Sequence, residues 1–178
     1  MLLVEGLMVQ LRTRHGMHFL FLFSLYPVDG RVLRTCPAGF RLFQDQCFWF
    51  SPTPVRKNVA AAETDCDARG ARLACVKDEE THNFLKMTIA TTNRRPYWIG
   101  LSDRVVEGMW RHSDGTALGS FRPFRANSNF DTAWKDCVMM WPGSAYQWLY
   151  WNCRSPRNYI CQKCGHGSTS QVPELSTS

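Results

Sequence analysis

Eight cysteines spread over 178 residues are the feature that most limits what this chain can fold into. So high a cysteine density is typical of domains that disulfide bonds hold together in an oxidising compartment. The alternative is a set of reduced, buried thiols in a cytosolic protein. Because the cysteines have polar neighbours, we favour disulfides and an extracellular location.

The cysteines lie on both sides of an apolar segment, Trp98-Ile99-Gly100-Leu101. An aromatic and aliphatic run of this length predicts a short buried strand, and Gly100 would let another backbone approach closely. The segment Glu107-Gly108-Met109-Trp110 and the turn Ser113-Asp114-Gly115 follow. An apolar run, a break and an Asp-Gly turn predict antiparallel strands.

Two helices are predicted, one before and one after a short strand. The first spans residues 55–69 and follows Pro54, which suits a helix start. The second begins after Asp78, whose side chain can cap it. The predicted apolar face consists of Val59, Ala62 and Cys66 in the first helix and of Phe84, Leu85 and Ile89 in the second.

Further short strands are predicted wherever aromatic and aliphatic residues cluster between turn residues. Together with the two helices they place the chain in the α+β class. The predicted strands are residues 48–50, 73–76, 137–141, 147–150 and 159–162.

The segment from about Cys36 to Gln162 resembles the C-type lectin-like domain. The Trp-Ile-Gly-Leu strand, the Glu-Gly-x-Trp segment, the Asp-Gly turn and the spacing of the cysteines carry the resemblance. It implies a C-type lectin-like fold, with two helices packed on small antiparallel sheets, a long loop, and disulfides that staple the chain.

The resemblance also implies three disulfides, which are Cys36–Cys47, Cys66–Cys161 and Cys137–Cys153. Cys75 and Cys164 are then left over. We expect them to form a fourth bridge, because the strand around Cys75 should lie near the closing strand. The alternative is a zinc half-site at Cys161 and Cys164, but it would need further ligands at ordered positions and would compete with Cys66.

We expect a leader, a domain and a tail. Arg12 and Arg14 precede the apolar residues 19–25, a run too short to span a bilayer and suited to a signal peptide. We therefore interpret residues 1–30 as a leader, residues 31–164 as the C-type lectin-like domain and residues 165–178 as a disordered polar tail. No later segment is long and apolar enough for a membrane span, so secretion is predicted.

Residues 116–136 show neither helical nor strand periodicity and form a long loop. The resemblance places ligand binding there, often through a calcium ion that needs several carboxylate or amide oxygens. The implied ligand positions fall on Asn127-Ser128-Asn129, on Lys135 and on Trp148-Leu149-Tyr150. Because Lys135 is a cation, and Leu and Tyr replace an Asn and an Asp, we predict that this calcium site is absent. A register that uses Trp151-Asn152 instead would put Cys153 at the aspartate position.

The resemblance also allows an auxiliary calcium site. Asp103 and Glu107 match the spacing of two of its ligands, and Asp136 and Asp131 could supply others. The alternative is that these are ordinary loop and hairpin acids, and we favour it because Lys135 would repel the ion.

The formal net charge of +6 favours acidic partners without identifying one. The expected partner is an extracellular protein or a glycan, and nucleic acid is not expected for a disulfide-rich extracellular chain. A basic face that is merely solvated is the simpler alternative. The candidate ligand contacts are Arg122, Arg125, Asn127, Asn129, Lys135, Trp148 and Tyr150, which Arg104, Arg111, Arg154 and Arg157 could extend.

No pattern in the sequence predicts catalysis. His112-Ser113-Asp114 contains the residue types of a hydrolase triad, but a triad requires side chains that converge in space. The sequence contains neither a glycine-rich phosphate loop nor paired catalytic carboxylates. We predict that the protein is not an enzyme and needs no cofactor.

The prediction is therefore a secreted recognition module that binds a protein or acidic glycan through its long loop without calcium. Two alternatives remain open. One is a true carbohydrate-binding lectin, and the other is a secreted structural or toxin-like subunit that acts as an oligomer.

Overall fold

The computed structural model describes residues 7–13, 16–22, 34–126, 134–164 and 166–167. The chain divides into two compact units, of which one comprises Met1–Leu33 with Thr169–Ser178 and the other comprises Arg34–Ser168. In the first unit, strands β1 (Leu7–Thr13) and β2 (Gly16–Leu22) form an antiparallel hairpin. The interpretation of residues 1–30 as a signal peptide stays a prediction.

The second unit contains two α-helices, α1 (Val59–Ala68) and α2 (Glu79–Thr92), and a short 3-10 helix at Pro142–Ser144. Its strands, in chain order, are β3 (Arg34–Thr35), β4 (Arg41–Phe43), β5 (Gln46–Phe50), β6 (Arg72–Leu73), β7 (Tyr97–Ser102), β8 (Arg111–His112), β9 (Cys137–Met140), β10 (Trp148–Trp151), β11 (Asn158–Cys164) and β12 (His166–Gly167).

One eight-stranded sheet dominates this unit. Its main path runs in the order β10-β9-β7-β11-β5-β4, with β6 paired to β11 and β8 paired to β7. The predicted antiparallel pairing is found in every pair of strands of this sheet except β7 and β11, which run parallel. The expectation of a disordered polar tail from residue 165 stays a prediction; within it, His166–Gly167 pairs with β3.

The central strand β7 is buried along its length from Tyr97 to Leu101. The prediction that Gly100 permits a close backbone approach is confirmed. A Cβ atom at this position would lie 2.5 Å from the Leu73 carbonyl oxygen and 2.6 Å from Ser113 Oγ. Only a glycine therefore lets the segment after α1 and the turn after β8 pack against β7.

Helix α1 begins four residues later than predicted. Residues 55–58 are not helical, because Lys57 exchanges backbone hydrogen bonds of 2.9 and 3.0 Å with Arg157. Asn58, rather than a residue next to Pro54, caps the helix by accepting a hydrogen bond of 2.9 Å from the Ala61 N–H. The predicted face is confirmed, since Val59, Ala62 and Cys66 are buried.

Helix α2 begins as predicted. The Asp78 side chain accepts a hydrogen bond of 2.7 Å from the Thr81 N–H. Leu85 and Ile89 are buried, and Phe84 stacks on Phe43 of β4 with ring centroids 4.4 Å apart. Among the described residues, no helix is long and apolar enough to cross a membrane.

The sheet carries a hydrophobic cluster on each face, because successive strand residues point to opposite sides. In β7, Ile99 belongs to the cluster that contains the α2 residues, whereas Trp98 belongs to the cluster that contains the α1 residues. The same alternation continues in β9, where Val138 lies in the first cluster and Met139 in the second.

Three of the four predicted disulfides are present in the structure. Cys36–Cys47, Cys66–Cys161 and Cys137–Cys153 have Cα atoms 5.5, 5.3 and 5.3 Å apart. Cys66–Cys161 joins α1 to β11 across 95 residues of sequence, so it ties the start of the domain to its closing strand.

The predicted fourth bridge is wrong, since Cys75 is a buried free thiol. Cys161 pairs with Leu73 in the antiparallel β6–β11 ladder. Continued along the chain, this register places Cys75 opposite Tyr159, five residues from Cys164. That is about 16 Å at about 3.3 Å per residue, whereas bonded cysteines have Cα atoms within about 7 Å.

Asp65 connects helix α1 to the sheet through hydrogen bonds. Its carboxylate accepts hydrogen bonds from Tyr159 Oη at 2.7 Å, Lys57 Nζ at 3.0 Å and Arg69 Nε at 2.9 Å. Burial alone would raise the pKa of this carboxyl group, but the three donors outweigh burial and lower the pKa to about 2.

The double substitution Cys66→Ala/Cys161→Ala should destabilise the domain more than Cys36→Ala/Cys47→Ala. The chain-entropy model gives about 5 kcal/mol for a loop of 95 residues and about 3 kcal/mol for one of 11 residues. Urea unfolding of both variants measures the difference. Equal losses would show that the long-range bridge is not the dominant constraint.

Asp65→Asn should lower the free energy of unfolding by about 2 kcal/mol at neutral pH. The folded-state pKa of Asp65 lies below its unfolded value, so this stabilisation is present above about pH 4 and is lost as the pH falls towards about 2. Urea unfolding across this pH range should show the loss in the wild type and not in the variant. The control is Asp67→Asn, an exposed carboxylate on the same helix, and an equal effect of both substitutions would contradict the prediction.

Candidate functional site

The long loop is described up to Ala126 and again from Trp134. It lies against two strands, since Ala117 forms a β-bridge with Arg111 and Phe124 forms one with Trp148. Arg122 is exposed, but its guanidinium donates to the carbonyls of Gly119 and Leu118 at 2.6 and 3.3 Å. This predicted ligand contact therefore also holds the loop's own backbone.

Two predicted ligand contacts, Trp148 and Tyr150, are wrong because their side chains are buried, with exposed fractions of 0% and 5%. The Phe124 ring stacks on Tyr150 with centroids 4.3 Å apart and packs edge-on against Trp148 at 5.3 Å. Phe121 covers Trp148 from another side at 5.7 Å. The loop thus closes over this face of β10 and makes it part of the core.

The signal that reveals this closure is the pair of phenylalanines in an otherwise polar loop. Phe121 and Phe124 are spaced three residues apart, and each packs on a residue of β10. Trp110 adds a third ring against Tyr150 at 4.7 Å. Aromatic residues of a strand that pack against aromatic residues of a nearby loop are buried by them. They are then not exposed to a ligand.

Among the described residues of this region, Trp134 is an exposed aromatic residue that the sequence reasoning missed. Its exposed fraction is 54%, and Lys135 Nζ lies 5.0 Å from its ring centroid. Arg125 is also exposed. A large aromatic side chain beside cations is a composition that suits molecular recognition.

The candidate calcium ligands that the structure describes do not form a group that could hold a metal ion. Asn127, Asn129 and Asp131 lie outside the described residues. Asp103 is buried and its Oδ2 accepts a hydrogen bond of 2.9 Å from the Gly108 N–H, so it holds the turn between β7 and β8. The Asp136 carbonyl accepts a hydrogen bond of 3.2 Å from the Asp103 N–H. Within the described ranges, no three His, Cys, Asp or Glu side chains are grouped to hold a metal ion.

The electrostatics around β10 follow from burial. Burial raises the pKa of the Tyr150 hydroxyl far above its usual value; Arg122 opposes this shift and Asp103 adds to it. Tyr150 is therefore neutral at physiological pH.

The residues of the His112-Ser113-Asp114 segment do not act together. Ser113 Oγ donates to the Leu73 carbonyl at 2.6 Å, and Asp114 pairs with Lys77 at 2.5 Å. His112 is buried, and burial lowers the pKa of its imidazole. These contacts hold the turn after β8. They do not place a base next to the Ser113 hydroxyl.

A cleft of about 920 Å³ lies elsewhere in the domain. Cys75, Lys77 and Ser113 are among the residues that line it, and none of the predicted ligand contacts does. Burial raises the pKa of the Cys75 thiol, so this cysteine is poorly suited to act as a nucleophile.

Tyr150→Asp should destabilise the domain by at least about 3 kcal/mol, because it removes a buried ring and places a carboxylate among aromatic residues. Tyr150→Phe keeps the ring and should cost about 1 kcal/mol. The urea midpoint of each variant measures the effect. Wild-type stability of Tyr150→Asp would show that this face of β10 is open to solvent.

Comparisons with known proteins agree with this architecture. The model of the Lectin C-type domain family matches residues 55–163. The human C-type lectin domain family 17, member A is 34% identical over 127 residues, which are 67% of this chain and 32% of that protein. The type-2 ice-structuring protein of Hemitripterus americanus is 30% identical over 135 residues, which are 76% of this chain and 78% of that protein.

A solved structure supports the same assignment. The crystal structure of a calcium-independent type II antifreeze protein superposes with a TM-score of 0.67 at 26% identity and covers 75% of this chain and 97% of its own. The family match covers more than half of the chain, and it includes both helices, the central strand and the bridges Cys66–Cys161 and Cys137–Cys153. The chain therefore belongs to the C-type lectin domain family.

Proposed function

We propose that this domain is a secreted recognition module that binds an extracellular protein or an acidic glycan through its long-loop surface, without a calcium ion. The contact surface consists of Trp134, Lys135, Arg122 and Arg125. We include in the proposed surface Asn127 and Asn129 of the same loop, which lie outside the described residues.

The stacking of Phe124 on Tyr150 is the observation that carries the proposal. The family resemblance assigns the Tyr150 position to a calcium-binding carboxylate, and here that position holds a buried phenol. Lys135 adds a positive charge at a second implied ligand position, and an ammonium group repels a calcium ion. A calcium ion would therefore lack two of its oxygen ligands and meet a cation.

Trp134 supports the choice of ligand surface. Large aromatic side chains that are exposed before binding contribute disproportionately to the affinity of protein interfaces. The neighbouring Lys135 and the exposed Arg122 and Arg125 favour a ligand with carboxylate or sulfate groups, through charge-assisted hydrogen bonds.

Secretion is supported by the disulfides. Three bridges in one small domain persist in an oxidising compartment and would be reduced in the cytosol. We propose that residues 1–30 direct the chain to that compartment and are then removed.

Binding rather than catalysis is supported by the partners of the reactive side chains. Ser113, Asp114 and Cys75 each contact groups that hold the fold. Likeness to lectin-domain and ice-structuring proteins does not choose a ligand, because one fold supports many functions. A carbohydrate-binding lectin and an oligomeric structural subunit are outcomes that the following experiment distinguishes.

The proposal predicts that about 5 mM calcium leaves the melting temperature unchanged. A site with a dissociation constant of about 0.1 mM would instead add about 2 kcal/mol, or several degrees. Differential scanning calorimetry with calcium and with a chelator makes the comparison. A rise of several degrees would contradict calcium independence.

The same protein should then be screened on glycan and secreted-protein arrays, with calcium and with chelator. Binding should persist in chelator and should fall about tenfold in Trp134→Ala. Met87→Ala is the matched control, because Met87 is 63% exposed on α2. Chelator-sensitive binding to neutral sugars would favour the lectin alternative, and light scattering shows whether the protein is an oligomer.

A further inference from the structure

Three segments outside the long loop meet at one end of the domain. They are residues 51–58 before α1, residues 92–96 from the last residue of α2 onward, and residues 152–158, which end at the first residue of β11. We call them together the arginine pole. Lys57 and Arg157 exchange backbone hydrogen bonds, and Asn93 Nδ2 donates to Thr53 Oγ1 at 3.1 Å.

The buried side chain of Asn158 fixes this junction. Its Nδ2 donates to the carbonyls of Pro52 and Val55 at 2.9 and 3.1 Å and to Ser51 Oγ at 3.0 Å. Asn158 also pairs in parallel with Tyr97, which directly follows the segment of residues 92–96. The arrangement of the three segments is therefore held by hydrogen bonds to a buried amide rather than by surface contacts.

The charged residues of the arginine pole are all basic. It contains five arginines and one lysine and no Asp or Glu. The whole chain has a formal net charge of +6, so the rest of the chain is balanced and these three segments account for the excess. The six basic residues are Arg56, Lys57, Arg94, Arg95, Arg154 and Arg157.

Three of the guanidinium groups are available to a ligand. Arg56, Arg95 and Arg154 are exposed, and no side-chain hydrogen bond or ion pair joins them to another described residue. Arg157 is half-buried and lies 5.6 Å from the Trp151 ring centroid. Arg56 precedes Lys57, whose backbone pairs with that of Arg157. Burial lowers the pKa of Arg157, and Arg56 adds to this shift.

Lys57 differs from the arginines because its ammonium group pairs with Asp65 at 3.0 Å. The carboxylate of Asp65 also accepts from Tyr159 and Arg69. It is thus engaged with the helix and the sheet, and it does not neutralise the exposed arginines.

We propose that the arginine pole is a second binding surface, specific for a sulfated polysaccharide. A guanidinium group donates two parallel hydrogen bonds to one oxyanion, which favours sulfate over an isolated neutral hydroxyl. Several exposed arginines on a fixed scaffold match a linear polymer that carries repeated sulfates, and the disulfides place the domain in the compartment where such polymers occur.

An acidic protein and a membrane fit this surface less well. Protein interfaces use apolar or aromatic anchors, and a membrane surface site needs apolar groups to insert. The large hydrophobic side chains that are exposed among the described residues all lie outside these three segments: Leu42, Met87, Val105, Val106, Met109 and Trp134.

The test measures binding of the full chain to heparin by isothermal titration calorimetry between about 50 and 200 mM salt. Arg56→Ser/Arg154→Ser should weaken binding at least tenfold and should flatten its salt dependence. The matched control is Arg41→Ser/Arg72→Ser, which removes the same charge from two exposed strand positions and should change the affinity less than threefold. Melting temperatures of both variants check that they fold.

Desulfated heparin, polyglutamate and vesicles that contain phosphatidylserine separate the ligand classes. The proposal expects each to bind at least tenfold more weakly than heparin. Equal weakening by the two double variants, no heparin binding, or tighter binding to polyglutamate or to vesicles would overturn it. The surface shares no residue with the long-loop site, so Trp134→Ala should leave heparin binding intact, and either proposal can fail alone.

Discussion

The close contact of β7 with its neighbours at Gly100 is the constraint on which the rest of the structure depends. The missing side chain lets the Leu73 carbonyl and Ser113 lie against the central strand. The Gly100 N–H donates to the Ala74 carbonyl at 2.8 Å, and the Ser113 N–H donates to the Gly100 carbonyl at 2.9 Å. The segment after α1 and the turn after β8 are thereby fixed on the same strand. Any larger residue at position 100 would force the Leu73 backbone, as well as the Ser113 side chain, to move.

From this centre, the two faces of the sheet acquire different roles. The face towards α1 is closed by Cys66–Cys161 and by the hydrogen bonds that Asp65 accepts. The face towards α2 includes residues of β10. Phe121 and Phe124 of the long loop pack against this part of the face. The rings on this second face occupy space that solvent or an ion would otherwise reach. The same packing that completes the core thus removes a position that the family resemblance assigns to a calcium ligand.

The two proposed surfaces arise from different kinds of support. The long-loop surface exposes Trp134 next to cations at the edge of a segment that continues beyond the described residues. The arginine pole is built on short segments that Asn158 and the Lys57–Arg157 backbone pair hold in place. A fixed array of charges loses little conformational entropy when it binds, which suits repeated weak contacts along a charged polymer. An exposed aromatic residue suits one well-packed contact instead.

The sequence alone determined the elements whose signals are local. The Asp78 cap and the apolar face of α1 each depend on residues that are near one another in the chain. The resemblance that the cysteine spacing carries also predicted three bridges that the structure contains. For the same reason, the order and type of most elements could be predicted, whereas the start of α1 could not, because a distant backbone pair at Arg157 competes with helix formation.

Only the tertiary structure decided what depends on contacts between distant residues. The sequence analysis predicts Trp148 and Tyr150 as ligand contacts. Only the structure shows that Phe121 and Phe124 pack on them. The sequence analysis predicts a disulfide between Cys75 and Cys164. The β6–β11 register places the two residues too far apart, and Cys75 is a free thiol. The arginines of the pole are scattered over about a hundred residues of sequence, and the parallel pairing of β7 with β11 is what brings two of their segments side by side. Composition fixes the total charge of a chain, but the fold decides where that charge is concentrated.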